Sequence, residues 1–136
     1  MAEKTGRCLC GAVTYTARDL ELHVHACHCG MCRRWSGGPG FALQAGAVEF
    51  QGESHIRRYR SSEWAERGFC GECGTNLFYR LVEPGTHMLQ MGTLDDQSDV
   101  DLAGEIYIDA KPPGYALAGE HPRLTEAEFM ESIGLK

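Results

Sequence analysis

The residues able to do chemistry in this sequence are its seven cysteines, and their spacing sorts them into groups. Cys8-Leu-Cys10-Gly11 comes first. In an extended segment, residues two apart project from one face, so both thiolates reach one ion. Cys70-Gly-Glu-Cys73-Gly74 has the two-residue gap and the following glycine of a zinc knuckle, where the chain wraps tightly and glycine accepts a positive φ. Together the two pairs supply four thiolates, the closed tetrahedral set in which zinc replaces part of a hydrophobic core. The alternative is two buried free cysteines and a redox-active pair at Cys70 and Cys73. The run Cys27-His28-Cys29-Gly30-Met31-Cys32 offers three more thiolates at gaps of two and three. Three sulfurs leave zinc one position for water, a thiol or a carbonyl oxygen, the usual arrangement of a catalytic zinc. Were His23, His25, His28 or a distant side chain to fill that position, both ions would be structural.

Zinc on three thiolates carries a formal charge of about −1, and sulfur donates electron density, so bound water is acidified less than on a three-histidine zinc. Hydrolysis is therefore not the expected chemistry. A soft site favours a soft fourth ligand, a thiol held deprotonated for addition to a carbonyl or for release from an adduct. Arg33 and Arg34 follow Cys32 directly and are expected either to bind a carboxylate of an anionic thiol or to stand as surface arginines. Trp35 is expected in the core, and the basic run Arg57, Arg58, Arg60 in solvent.

The elements that must position these residues are short. With 136 residues and 17 glycines the chain is expected to be one turn-rich zinc-binding domain, 1–136, around one core. β-branched and apolar runs separated by turns predict a mainly β protein of antiparallel sheets, with strands near 13–17, 20–26, 41–44, 48–50, 55–60, 65–69, 76–81, 87–91 and 105–109. Residues 20–26 alternate, with Leu20, Leu22, Val24 and Ala26 on one face and Glu21, His23 and His25 on the other. A short helix is predicted at about 125–134. Thr125-Glu-Ala-Glu128 reads as a capping box, Leu124 as a staple onto Phe129, Gly134 as a stop, and Phe129 with Ile133 as the apolar face that docks on the sheet.

Charge is uneven. Residues 1–80 carry ten Lys/Arg against eight Asp/Glu, and 81–136 carry three against eleven, for a net −6. Seven thiolates with two divalent ions would take the total to about −9, which disfavours nucleic acid as a partner. No apolar run approaches the ~20 residues that cross a bilayer. Met1-Ala-Glu-Lys-Thr-Gly-Arg7 mixes charges where a signal peptide needs apolar residues, so a cytoplasmic, reducing location is expected, in which cysteines bind metal rather than pair.

Four segments occur in order: Gly6-Arg-Cys-Leu-Cys-Gly-Ala-Val-Thr-Tyr15, Cys27-His-Cys-Gly-Met-Cys-Arg-Arg34, Arg67-Gly-Phe-Cys-Gly-Glu-Cys-Gly74 and Gly92-Thr-Leu-Asp-Asp96. Over about residues 5–115 the chain resembles the glutathione-dependent formaldehyde-activating enzyme and centromere protein V family. The resemblance implies an Mss4-like fold of antiparallel sheets, a structural zinc on Cys8, Cys10, Cys70 and Cys73, and a catalytic-type zinc on Cys27, Cys29 and Cys32. It also implies carbon-sulfur lyase chemistry joining glutathione to formaldehyde, or the reverse. Glu105-Ile-Tyr107 stands where His-Ile-Phe is common in that family and Pro113-Gly114 where Pro-Trp is common, both outside the cysteine framework.

Two function classes follow: a zinc-dependent lyase acting on a small-molecule thiol or thiol adduct, and a non-catalytic zinc-stabilised binding module on the same fold. A chromosomal or microtubule role would be expected to need a basic extension, which this sequence lacks. Nothing in the sequence fixes an oligomeric state.

Overall fold

A computed structural model describes residues 2–134. The chain is mainly β and divides into two compact units: the residues up to Leu22 together with Ala42–Val100, and His23–Phe41 together with the residues from Asp101 onward.

The first unit holds two antiparallel sheets. In one, β1 (Ala2–Arg7), β2 (Thr14–Leu20) and β5 (Ala47–Gln51) lie in the order β1-β2-β5. In the other, β4 (Gly40–Ala45) pairs from Ala42 onward with β9 (His87–Gln90). Beyond β9 come β8 (Asn76–Leu81), β7 (Ala65–Cys70) and β6 (Ile56–Arg60). Alternation drives β2 and β4, where Tyr15 and Ala17, and Leu43 and Ala45, are buried; in β8 the consecutive Leu77 and Phe78 are both buried, as is Leu89 of β9. Phe50 packs tilted on Phe78 at 5.4 Å, and His87 stands edge-on to Phe78 at 4.9 Å.

In the second unit, β10 (Asp101–Ile106) runs parallel to β3 (His23–Cys27), with Ile106 opposite Cys27. This parallel pair departs from the otherwise antiparallel pattern the sequence predicts. It brings residues far apart in the chain side by side, a placement that no local signal specifies. β3 leads into the seven-residue helix α1 (Gly30–Ser36), and the unit ends with α2 (Glu126–Ser132).

The predicted strand over 20–26 is two strands. Asp19 takes φ 51° and β2 stops at Leu20, while the Glu21 N–H bonds Gln44 O, so the alternating run is broken at the passage between units. Val24 and Ala26 are nevertheless buried and His23 and His25 exposed, as the alternation requires. α2 has the predicted capping box, Thr125 Oγ1 accepting from the Glu128 N–H and Glu128 returning the bond. Of its predicted apolar face, Phe129 is half-buried and meets Tyr107, just past β10, at 5.9 Å, whereas Ile133, the C-cap, is 53% exposed. No helix among the described residues is long and apolar enough to cross a membrane.

Candidate metal centres

In the first unit the turn after β1 carries Cys8 and Cys10, and the end of β7 carries Cys70 followed by Cys73. The four Sγ atoms lie within 4.8 Å of one another. Cys8 Sγ is 3.7 Å from Cys10 Sγ, which is 3.9 Å from Cys70 Sγ. A tetrahedron with Zn–S bonds of ~2.3 Å has sulfur-sulfur edges of roughly 3.8 Å, so the spacing suits zinc. Backbone donors surround the sulfurs. The N–H groups of Val13, Ala12 and Glu72 point at Cys8, Cys10 and Cys70 at 3.3, 3.5 and 3.4 Å. Hydrogen bonds from the Thr75 hydroxyl and N–H lower the Cys73 thiol to about 5. The Thr75 hydroxyl also accepts from the Leu9 N–H at 3.0 Å, joining the two turns.

The knuckle turn closes through Cys70 N–H to Thr75 O and Gly74 N–H to Cys70 O. Gly74 sits at φ +81° with open space around it, so the backbone conformation alone calls for glycine there. Cys8 and Cys70 are buried, Cys73 is half-buried and Cys10 is exposed.

In the second unit, Cys27 ends β3, Cys29 is the N-cap of α1 and Cys32 lies in its first turn. Their Sγ atoms also lie within 4.8 Å of one another, and no histidine or carboxylate among the described residues joins the group. The Cys29 sulfur accepts from the Cys32 N–H at 3.4 Å. Hydrogen bonds from the Cys27 and Cys32 thiols hold Cys29 well below the ordinary thiol range, and the same contacts, with burial, push Cys27 above it. A divalent ion would replace those shared protons. All three residues are half-buried. Gly40 makes room for the group: a Cβ there would lie 3.2 Å from Cys32 Cβ and 3.3 Å from its sulfur.

The histidines that the sequence offered as a fourth ligand are engaged elsewhere or left in solvent. His23 Nδ1 is 2.7 Å from Asp101, and exposed His25 lies against Gly104. His28 is 1% exposed, with Nε2 2.7 Å from Glu105 Oε1 and Nδ1 3.2 Å from the Tyr115 hydroxyl. The Glu105 carboxylate also receives His121 Nε2 at 2.6 Å and Arg123 Nε at 2.9 Å. Burial opposes its ionisation, yet the bonds from His121 and His28 outweigh burial and hold the carboxyl below its ordinary value.

Arg33 and Arg34 are exposed, and their guanidinium groups fold back toward the start of α1. A Cβ on Gly30 would meet Arg34 Nη1 at 3.1 Å and Arg33 Nη2 at 3.7 Å. Trp35 is half-buried rather than in the core. Arg58 is not simply solvated, since it pairs with Glu66 at 3.1 Å and lies over the Phe78 ring. Sequence reasoning did not find Thr75, Tyr115, His121 or Arg123, and it noted Glu105 only as a departure from a pattern. A charged residue within the apolar end of β10 was the one available signal.

The family model described as glutathione-dependent formaldehyde-activating enzyme matches residues 3–110. An uncharacterized lyase of Schizosaccharomyces pombe is 30% identical over 135 residues, spanning 98% of each chain. A Halomonas elongata protein provisionally named glutathione-dependent formaldehyde-activating enzyme is 31% identical, spanning 96% of each. The crystal structure of a Rhodobacter sphaeroides protein, 21% identical, superposes with a TM-score of 0.59 over 88% of this chain and 98% of that one, a likeness of fold.

Proposed function

The chain belongs to the glutathione-dependent formaldehyde-activating enzyme family, and from that premise we propose that it is a zinc-dependent carbon-sulfur lyase acting on a thiol-aldehyde adduct, with glutathione and formaldehyde as the type substrates. The observation that carries this reading is the three-sulfur group of Cys27, Cys29 and Cys32, gathered without a fourth protein ligand among the described residues. Cys8, Cys10, Cys70 and Cys73 would hold a structural zinc, and Cys27, Cys29 and Cys32 a second one. When bound at the three-sulfur group, zinc supplies a Lewis acid that keeps a thiol substrate deprotonated near pH 7.

The remaining roles fall to the chain itself. Arg33 and Arg34 bind a carboxylate of the anionic thiol, since both guanidiniums gather at the end of α1 that carries Cys29. His28, with both ring nitrogens engaged, leaves the fourth position to the substrate. In the forward direction the substrate sulfur lone pair forms the C–S bond to the formaldehyde carbon, the C=O π pair moves to oxygen, and that oxygen takes a proton. In reverse the hydroxyl loses its proton, C=O re-forms, and the C–S pair returns to sulfur.

Exchange NMR with labelled formaldehyde and glutathione tests the reading. The wild-type protein should accelerate interconversion of free formaldehyde and S-hydroxymethylglutathione above the buffer rate, and Cys29→Ser should return it to that rate. Wild-type exchange no faster than buffer would leave a non-catalytic binding module.

A further inference from the structure

Among the described residues Glu105 is the only buried carboxylate, 1% exposed, and a buried charge is costly unless it is fully paired. Its partners come from distant parts of the chain. His28 donates to one oxygen, and His121 and Arg123 donate to the other. Main-chain bonds reinforce the same place: Glu105 N–H to Pro122 O and Leu124 N–H to Glu105 O, each 2.9 Å, tie in the segment that carries His121 and Arg123. On the other side the His28 N–H bonds Ile106 O at 3.1 Å.

An ionised carboxylate only accepts, which places a proton on His28 Nε2 and leaves Nδ1 to share a hydrogen bond with the Tyr115 hydroxyl. A ring tied at both nitrogens cannot rotate. His28 stands between Cys27 and Cys29, so holding this ring holds the main chain that spaces two of the three sulfurs.

We propose that Glu105 is a positioning residue for the three-sulfur site: through His28 it fixes the spacing of Cys27 and Cys29, and through His121 and Arg123 it makes the 115–123 segment part of that site. Three of these side chains, Tyr115, His121 and Arg123, lie beyond residues 3–110, the span that the family model matches. The proposal rests on the metal reading above but not on lyase activity. An apolar plug would close the same space at less cost, so the polar hub is understood as selecting one ring orientation.

The test is zinc release to a chromogenic chelator from wild type, Glu105→Met and Tyr115→Phe, with the cobalt-loaded forms followed by absorption. Methionine keeps the length and removes the acceptor. In Glu105→Met one zinc should bind about tenfold to a hundredfold more weakly, the range for lost outer-shell partners, while the other is released as in wild type. The cobalt ligand-field bands of the weakened ion should move. Tyr115→Phe deletes a single hydroxyl and should weaken the same zinc by about fivefold.

A purely structural role would lower the melting temperature and leave both release constants and the cobalt bands unchanged, and that result overturns the proposal. Equal weakening of both zincs, or only one zinc in the wild-type protein, overturns it as well. If Glu105→Met does not fold, Tyr115→Phe decides, with unchanged release counting against the proposal. Selective zinc loss in Glu105→Met, beside wild-type formaldehyde exchange at the buffer rate, would sink the lyase reading and leave the positioning role standing.

Discussion

The two units solve the same problem, gathering cysteine sulfurs, by different means. In the first, two turns far apart in the sequence bring four sulfurs together, two of the four cysteines are themselves buried, and buried Val13 donates its N–H to Cys8 Sγ. In the second, a strand end and the first turn of a short helix bring three half-buried sulfurs together, and the buried residues of that unit include a polar pair, His28 and Glu105, as well as Val24 and Ala26. Four sulfurs match a closed tetrahedral site, and three leave one position of such a site open.

The sharpest way to break that contrast is to remove one sulfur from each group. Structural zinc contributes about 10–16 kcal/mol in small domains, comparable with or larger than the ~5–15 kcal/mol net stability of a fold. Cys70→Ser should therefore abolish the cooperative thermal transition seen by circular dichroism. Cys29→Ser should keep that transition and lose one of two zincs by elemental analysis. Equivalent behaviour of the two variants would erase the distinction.

Next in size is the effect of charge at the second unit's site. The Arg33→Ala/Arg34→Ala double variant loses charge-assisted hydrogen bonds to a carboxylate, so KM for glutathione should rise about tenfold or more, with kcat little changed. A fall in kcat at constant KM would assign the arginines a different role.

In the first unit, burial, together with the positive charges of Arg80 and Arg58, depresses the His87 imidazole to about 4. Between that value and the unfolded value of ~6.5 the unfolded chain binds a proton that the folded chain does not, so stability falls as pH falls through this window. The melting temperature should drop by about a few degrees from pH 6.5 to pH 5, and His87→Phe should flatten that part of the curve. Zinc release from the second unit should not follow the His87 substitution.

The smallest expected effect comes from Gly40→Ala, whose added methyl would press on Cys32 at 3.2–3.3 Å. It should loosen the three-sulfur zinc by about a few-fold and leave the four-sulfur zinc alone. Chelator competition reads both.

Much of this architecture could be read from the sequence. The cysteine gaps predicted each pair and the three-cysteine run, because chelation by neighbouring residues is a local property of spacing; joining Cys8 and Cys10 to Cys70 and Cys73 followed from the count of four that closes a tetrahedral site. The capping box predicted the start of α2 for the same reason. β1 was missed because Ala-Glu-Lys-Thr-Gly-Arg shows no apolar alternation; its place in the sheet comes from pairing with β2. α1 was missed because Gly-Met-Cys-Arg-Arg-Trp-Ser carries no apolar stripe; it is set by the Cys29 cap and ended by Gly37 at φ 79°. The alternation of 20–26 was real, but the break between Leu20 and His23 that divides it depends on a long-range bond, Glu21 N–H to Gln44 O. The Glu105 hub was least legible. His28 and Glu105 are 77 positions apart and meet only because β10 lies parallel to β3.

The most direct measurement is a glutathione titration of the protein carrying two cobalt ions, followed through the sulfur-to-cobalt absorption. One ion of the two should respond, saturating at one thiol per chain, and Cys29→Ser should remove the response while the other ion's spectrum persists. A spectrum indifferent to glutathione, or two ions responding alike, would contradict the division into one closed site and one open site.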